Sequence, residues 1–279
     1  MSCNPSRVVS AMRDRGPVPG SQMPVSADRR ATLCFDEVSK RFKRPNGEVA
    51  VALDGVSFEI CRGELVGVFG PSGAGKTTLL CIAAGMMGVD SGVVSYNGVR
   101  FDRMSVGERK RLRRQEIACV WASQEWQERL TVIDHVALPL LLDGRDRQIA
   151  LDRAREALLA CEAERCASME LRDLSAGEYQ RVAFARALVT EPKLVLADAP
   201  TANLSVIERE TLMHLLSLLA RQARAAVLAT ASDAEQLAAS DRLLYLHNEG
   251  KLITSQQTGQ QGKLYSFPQA PFRRSAADA

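Results

Sequence analysis

The sequence predicts an α/β fold with a parallel sheet at its centre, and three observations carry that prediction. Residues 65–69, 194–197 and 226–229 are short unbroken apolar runs, the pattern of a strand buried on both faces. The first run leads straight into a glycine-rich segment, Gly70-Pro71-Ser72-Gly73-Ala74-Gly75-Lys76-Thr77-Thr78, with a helix-like stretch at 79–84 behind it. Between the first and second runs lies a long charged-apolar mixture, about 109–190, in which Leu151, Ala154, Leu158 and Cys161 recur at helical spacing.

The elements follow in order. Residues 1–31 are rich in Pro, Ser and Arg without steady periodicity and are expected to be a flexible extension. Residues 33–38 and 49–60 carry β-branched and apolar side chains on either side of Pro45, Asn46 and Gly47, which predicts an antiparallel pair. The stretch at 109–190 reads as an inserted helical subdomain. Residues 243–247 and 251–253 flank Asn248, Glu249 and Gly250, a hairpin pattern. Residues 254–279, with Gln256, Gln257, Gln260 and Gln261, are expected to be a second flexible tail, which leaves 32–253 as a single domain.

Composition narrows the function classes. The 279 residues are 46% hydrophobic, enough for a sizeable core. The longest apolar stretches, 136–142 and 225–231, fall well short of the roughly 20 residues that cross a bilayer. No apolar signal segment follows the early arginines, so a cytosolic location is expected. The seven cysteines are odd in number and show no CxxC pair or Cys/His metal spacing, which favours reduced thiols over disulfides or zinc. A net charge of +3 provides no global field for nucleic acid, and the basic cluster at 109–114 reads as a solvated helix face.

Gly70 to Thr77 fit GxxxxGK[ST] in the expected setting of strand, loop and helix. Glycines let the backbone amides turn inward around a phosphate, and the helix that follows offers its unpaired N–H groups and its dipole. Lys76 sets a cation against the β- and γ-phosphates of a nucleotide, and the Thr77 hydroxyl is placed to ligate Mg²⁺. Residues 194–197 end in Asp198, a carboxylate at the carboxyl edge of the sheet, where ligands of α/β folds bind and where the metal site needs an acid.

The discriminating segment is Leu174-Ser175-Ala176-Gly177-Glu178-Tyr179-Gln180-Arg181, followed by Val182-Ala183-Phe184-Ala185-Arg186-Ala187-Leu188. It closely resembles the signature of the ATP-binding-cassette (ABC) family, LSGGQ or LSGGE with QRVxxARAL behind, and the resemblance runs from about residue 32 to 253. By itself the same segment is a capped helix start, with Ser175 and Glu178 forming a capping box. The resemblance implies a P-loop NTPase (RecA-like) core with an antiparallel β subdomain and an inserted helical one, binding ATP and Mg²⁺ between two cassettes. It implies that Ser175, Ala176, Gly177 and Glu178 serve the partner's nucleotide and that Phe42 stacks on adenine. It further implies docking on integral membrane permeases at the inner face of the membrane. Segments 49–57 and 130–140 look most like the lipoprotein-release, peptide and macrolide exporter branch.

The same comparison exposes departures on the hydrolytic machinery. The family's Asp is followed by a Glu that activates water; here Ala199 follows Asp198. General-base help is worth about 10² to 10⁴ in rate, so its loss raises the barrier by roughly 3 to 5 kcal/mol. Ala122 stands where an ungapped alignment expects the Q-loop glutamine, with Gln124 two residues late. Ser232 replaces the switch histidine and cannot carry its charge, and Ser205 replaces the Asp that closes the D-loop. The expectation is a subunit that holds MgATP, hydrolyses it poorly and pairs with a competent cassette. The alternative assembly is a homodimer working slowly or as a switch without turnover, and two other readings stay open: an ordinary ATPase rescued by a displaced residue such as Gln124 or Asp233, and a soluble non-transport regulatory or binding module.

Overall fold

The computed structural model describes residues 31–121, 130–202 and 204–254. Two sheets face each other. The first has the order β2-β1-β4-β5, with β1 (Ala31–Lys43), β2 (Val49–Cys61), β4 (Ser91–Tyr96) and β5 (Val99–Arg100) antiparallel throughout. The expected pair at 33–38 and 49–60 is present as β1 and β2, with β2 on the edge of the sheet. Phe35 pairs with Phe58 across β1 and β2, and their rings stack at 4.8 Å. Such cross-strand aromatic pairs fix register as well as adding contact energy.

The second sheet has the order β10-β9-β3-β8-β7-β6. The strands β3 (Leu65–Phe69), β6 (Ile117–Val120), β7 (Leu194–Ala197), β8 (Ala226–Ala231) and β9 (Arg242–Leu246) run parallel, and β10 (Leu252–Thr254) returns antiparallel along β9. Every residue of β3, β7 and β8 is buried. Alternate side chains therefore feed two cores. Leu65, Phe69, Val195 and Val227 face the helices together with Val136, Phe184 and Leu216, whereas Val66, Val68, Leu196 and Leu228 face the first sheet and Leu33, Phe35 and Leu79. Each fully buried aliphatic side chain contributes about 1.5–3 kcal/mol relative to exposure, so the unbroken apolar runs are what make this strand arrangement stable.

The helices are α1 (Lys76–Ala83), α2 (Val106–Gln115), α3 (Val132–Leu142), α4 (Arg147–Ala160), α5 (Ala176–Leu188) and α6 (Val206–Ala223). Helix α2 contains the basic cluster. Two of its arginines are not simply solvated: Arg109 donates to the carbonyl of Phe101, and Arg113 to the carbonyls of Ala84 and Gly85 at the end of α1. A cation there complements both the unpaired carbonyls and the negative end of the helix dipole.

The structure differs from the sequence reading in four places. Strand β6 lies within the stretch read as helical; its four residues pair in parallel with β7 and close the sheet edge. Strands β4 and β5 were not anticipated, being short and interrupted by Asn97 and Gly98. The hairpin is shifted by one residue on each arm, to β9 and β10. Ala31 and Thr254, assigned to the tails, belong to strands, and the remainder of both tails lies outside the described residues.

Candidate functional site

The glycine-rich segment leaves the carboxyl end of β3 and turns into α1. Two of its glycines are required by contact. A Cβ on Gly70 would run into the carbonyl oxygen of Leu246, and one on Gly75 into the carbonyl oxygen of Ala52. Gly75 also has φ of 102°, a left-handed conformation that side chains resist. Gly73 shares the left-handed conformation but is open to solvent space. The Gly70 N–H donates to the Ala231 carbonyl at 3.3 Å, which ties the loop to the end of β8.

Lys76 opens α1 and reaches back across the loop, its ammonium donating to the carbonyls of Gly70 at 2.6 Å and Pro71 at 2.8 Å. Partial burial pushes its pKa down, and Asp198 opposes that shift. The net arrangement holds a cation across the mouth of the loop. Beside it, Thr77 Oγ1 donates to Asp198 Oδ2 at 2.8 Å. Asp198 is buried, with 9% of its surface exposed, directly after β7. A hydroxyl and a carboxylate oxygen in contact, both hard donors, suit Mg²⁺, which uses one or two protein oxygens and takes its other ligands from phosphate and water. Among the described residues no group of three or more His, Cys, Asp or Glu could hold a metal ion.

The sequence-predicted residues at the carboxyl edge of the sheet come together as follows. Ala199 takes φ of 45° and its N–H donates to Thr230 Oγ1 at 3.1 Å. Thr230 in turn donates to Asp198 Oδ1 at 2.8 Å. Ser232 is exposed and donates to Asp233 at 3.1 Å. Gln236 Nε2 donates to Ser232 Oγ at 2.8 Å while its Oε1 accepts from Thr201 Oγ1 at 3.0 Å, so one amide side chain joins the loops after β7 and β8. Sequence reading missed Thr230 and Gln236. Neither lies in a motif, and a lone threonine within an apolar strand carries no signal until its partners are known. Ala122 and Gln124 lie outside the described residues.

Phe42 is 38% exposed near the end of β1, with the Lys40 ammonium 5.7 Å from its ring centroid. It pairs with Ala50, two residues along β2 from the Ala52 carbonyl that Gly75 approaches, or roughly 7 Å along a strand. That places it on the rim beside the loop.

Ser175 caps α5. It accepts from the Glu178 N–H at 3.3 Å while the Glu178 carboxylate accepts from the Ser175 N–H at 3.0 Å, and Arg165 adds an ion pair at 3.0 Å. The Ser175 bonds hold the Glu178 carboxyl below its usual range. Ser205 has the same role for α6 with Glu208, a pattern already present in Ser205-Val206-Ile207-Glu208. The two caps touch, since a Cβ on Gly177 would meet the Glu208 carboxylate. Ala176 is the first residue of α5.

A cavity of about 930 Å³ lies elsewhere. Arg62, Lys193 and Ala225, which precede β3, β7 and β8, line it with Leu188, Leu215 and Leu219, at the opposite end of the strands from Lys76. Volume does not locate the site here; converging polar groups do.

A glycine loop between strand and helix, a lysine across its mouth and a Thr–Asp pair beneath it define a P-loop nucleotide-binding protein. Comparison with known proteins gives the family. The model of the ABC transporter family matches residues 53–202, and the chain belongs to that family as an ATP-binding cassette. Uncharacterised ABC transporter ATP-binding proteins of Mycobacterium bovis and Mycobacterium tuberculosis are each 35% identical over 194 residues, 70% of this chain and 58% of theirs. The match thus spans little more than half the length of those relatives. A bacterial ABC transporter cassette solved as a dimer is 31% identical with a TM-score of 0.73, over 80% of this chain and 98% of that one. The protein cbiO1 from Clostridium perfringens, part of the ABC transporter complex cbiONQ, is 25% identical with a TM-score of 0.70, over 80% and 87%. Among the described residues no helix is long and apolar enough to cross a membrane.

Proposed function

We propose that this chain is an ATP-binding subunit of an ABC transporter that holds MgATP at a dimer interface and hydrolyses it poorly. Gly70, Pro71, Ser72, Gly73, Ala74, Gly75, Lys76, Thr77 and Thr78 form the cradle for the phosphates, with Phe42 beside the adenine. Thr77 and Asp198 hold Mg²⁺, which when bound neutralises charge on the phosphate oxygens. Ser175, Ala176, Gly177 and Glu178 go to the site of a second cassette. That cassette carries the groups this one lacks, and both dock on integral membrane permeases, on the inner face of the membrane. The dimeric and complex-forming relatives support the assembly; segments 49–57 and 130–140 support the lipoprotein-release, peptide and macrolide exporter branch.

The observation that carries this reading is the contrast between an ordered Thr77–Asp198 pair under Lys76 and a methyl group on the next residue, Ala199. Asp233 is a poor substitute base. Its carboxylate oxygens are both engaged already, Oδ1 accepting from the Gln236 backbone N–H at 3.1 Å and Oδ2 from the Ser232 hydroxyl at 3.1 Å.

Calorimetry with a nonhydrolysable ATP analogue and Mg²⁺, alongside steady-state turnover, tests both halves. The wild-type chain is expected to bind and Lys76→Ala to lose binding, with turnover roughly 10²–10⁴ below that of a cassette with a complete site. Unchanged affinity in Lys76→Ala removes the phosphate role. Turnover equal to that of a complete cassette removes the hydrolysis-poor reading.

A further inference from the structure

Strand β8 ends in an apolar run that is entirely buried, and Thr230 is the one residue of Ala226–Ala231 with a polar side chain. None of its surface is exposed. A buried hydroxyl without partners is destabilising. Thr230 has two, donating its proton to Asp198 Oδ1 at 2.8 Å and accepting the Ala199 N–H at 3.1 Å. A valine has nearly the same shape and suits a parallel strand better, so packing alone gives no reason for the hydroxyl.

The two bonds fix consecutive residues of the loop after β7. The carboxylate of Asp198 is divided, with Oδ1 held by Thr230 and Oδ2 in contact with the Thr77 hydroxyl. Rotation of the carboxylate breaks one bond or the other. Ala199, in its left-handed turn, has its N–H satisfied by the same hydroxyl. We infer that Thr230 is a positioning residue of the metal site, holding Asp198 so that Oδ2, the oxygen beside Thr77, is the one presented to Mg²⁺. The inference rests on the nucleotide site proposed above. Thr230 acts through Asp198 and is not catalytic. Partners of this kind, which orient a metal-binding carboxylate, typically contribute 10- to 100-fold to metal affinity.

The test is Mg²⁺ titrated into the full chain at a fixed concentration of nonhydrolysable ATP analogue, with analogue binding in EDTA measured in parallel. Thr230→Val is expected to raise the half-saturating Mg²⁺ concentration by about 10- to 100-fold with binding in EDTA unchanged, and Thr230→Ser to restore the wild-type value. A purely structural role would weaken Mg²⁺ binding and analogue binding in EDTA together and would overturn the inference, as would an unchanged Mg²⁺ midpoint in folded Thr230→Val. If the valine variant does not fold, Thr230→Cys, similar in size with a weak donor, replaces it: a raised midpoint supports the role and an unchanged one overturns it. Wild-type chain that takes up no analogue at all overturns the proposed function itself, an outcome distinct from a wild-type chain that binds beside an insensitive variant.

Discussion

At the scale of single residues, the site separates groups that grip from groups that cleave. Gly75 belongs to the first kind, since its φ of 102° and the Ala52 carbonyl leave no place for a side chain. Gly75→Ala is expected to destabilise the fold by about 1–3 kcal/mol through the strained backbone, more if the Ala52 contact does not relax, and to weaken binding of the ATP analogue. Thermal unfolding and calorimetry read the two effects, and a variant with wild-type melting and affinity would mean the loop is not held as described. Ala199 and Ser232 stand, on the proposed function, at positions where groups of the second kind are missing. Ala199→Glu together with Ser232→His restores a carboxylate and an imidazole at the carboxyl ends of β7 and β8, and turnover is expected to rise by about 10²-fold or more. Steady-state phosphate release measures it; no rise would move the limiting defect to position 122 or to the partner. The gripping residues were legible in the sequence because their motif is contiguous. The residues that orient them, Thr230 and Gln236, were not, because their meaning depends on strands brought together from distant parts of the chain.

At the scale of elements, α5 and α6 begin with the same device, a serine cap closed by a glutamate three residues on, and their first turns are in contact through Gly177 and Glu208. Ser175→Ala removes the side-chain half of one box and is expected to destabilise the fold by about 1 kcal/mol. The depressed pKa of Glu178 fixes the sign of the pH dependence. A carboxyl whose folded-state pKa lies below its unfolded value adds stability above the unfolded value, and that contribution disappears as pH falls through the folded one. The stability gap between wild type and Ser175→Ala is therefore expected to be full at neutral pH and to shrink on the acid side of the usual carboxylate range. Denaturant unfolding at pH 7 and pH 4 checks this, and a gap that widens in acid contradicts it. Strands were legible where burial on both faces left an unbroken apolar run, as at Leu65–Phe69 and Leu194–Ala197. Strand β6 was not, because Ile117–Val120 is only four residues long and follows a charged helix whose period masks it. Its assignment as a strand comes from the ladder with β7, which is tertiary information.

For the whole molecule, the parallel sheet collects the loops after β3, β7 and β8 at one end, which sets Lys76, Asp198 and Ser232 on the same rim, while Ser175–Glu178 starts a helix of the other layer. On the proposed function the chain has two surfaces with separate fates: a P-loop beside which Ala199 and Ser232 stand for the hydrolytic groups, and a signature segment capped by Ser175 and Glu178. In a dimer where each P-loop meets the other subunit's signature, damage to the two surfaces should have unequal effects. In a complex with a cassette that carries Glu, Gln and His at the missing positions, Gly177→Asp in this chain is expected to cut total turnover by roughly 10²-fold or more, since it sets a carboxylate against Glu208 and the neighbouring nucleotide. Lys76→Ala in this chain empties only the poor site and is expected to leave turnover within about tenfold of wild type, a change of barrier near 1.4 kcal/mol. Phosphate release from the two reconstituted mutant complexes decides between the surfaces. If Lys76→Ala abolishes turnover while Gly177→Asp is silent, this chain's own site performs the hydrolysis, and the division of labour between the two cassettes is the reverse of the one proposed.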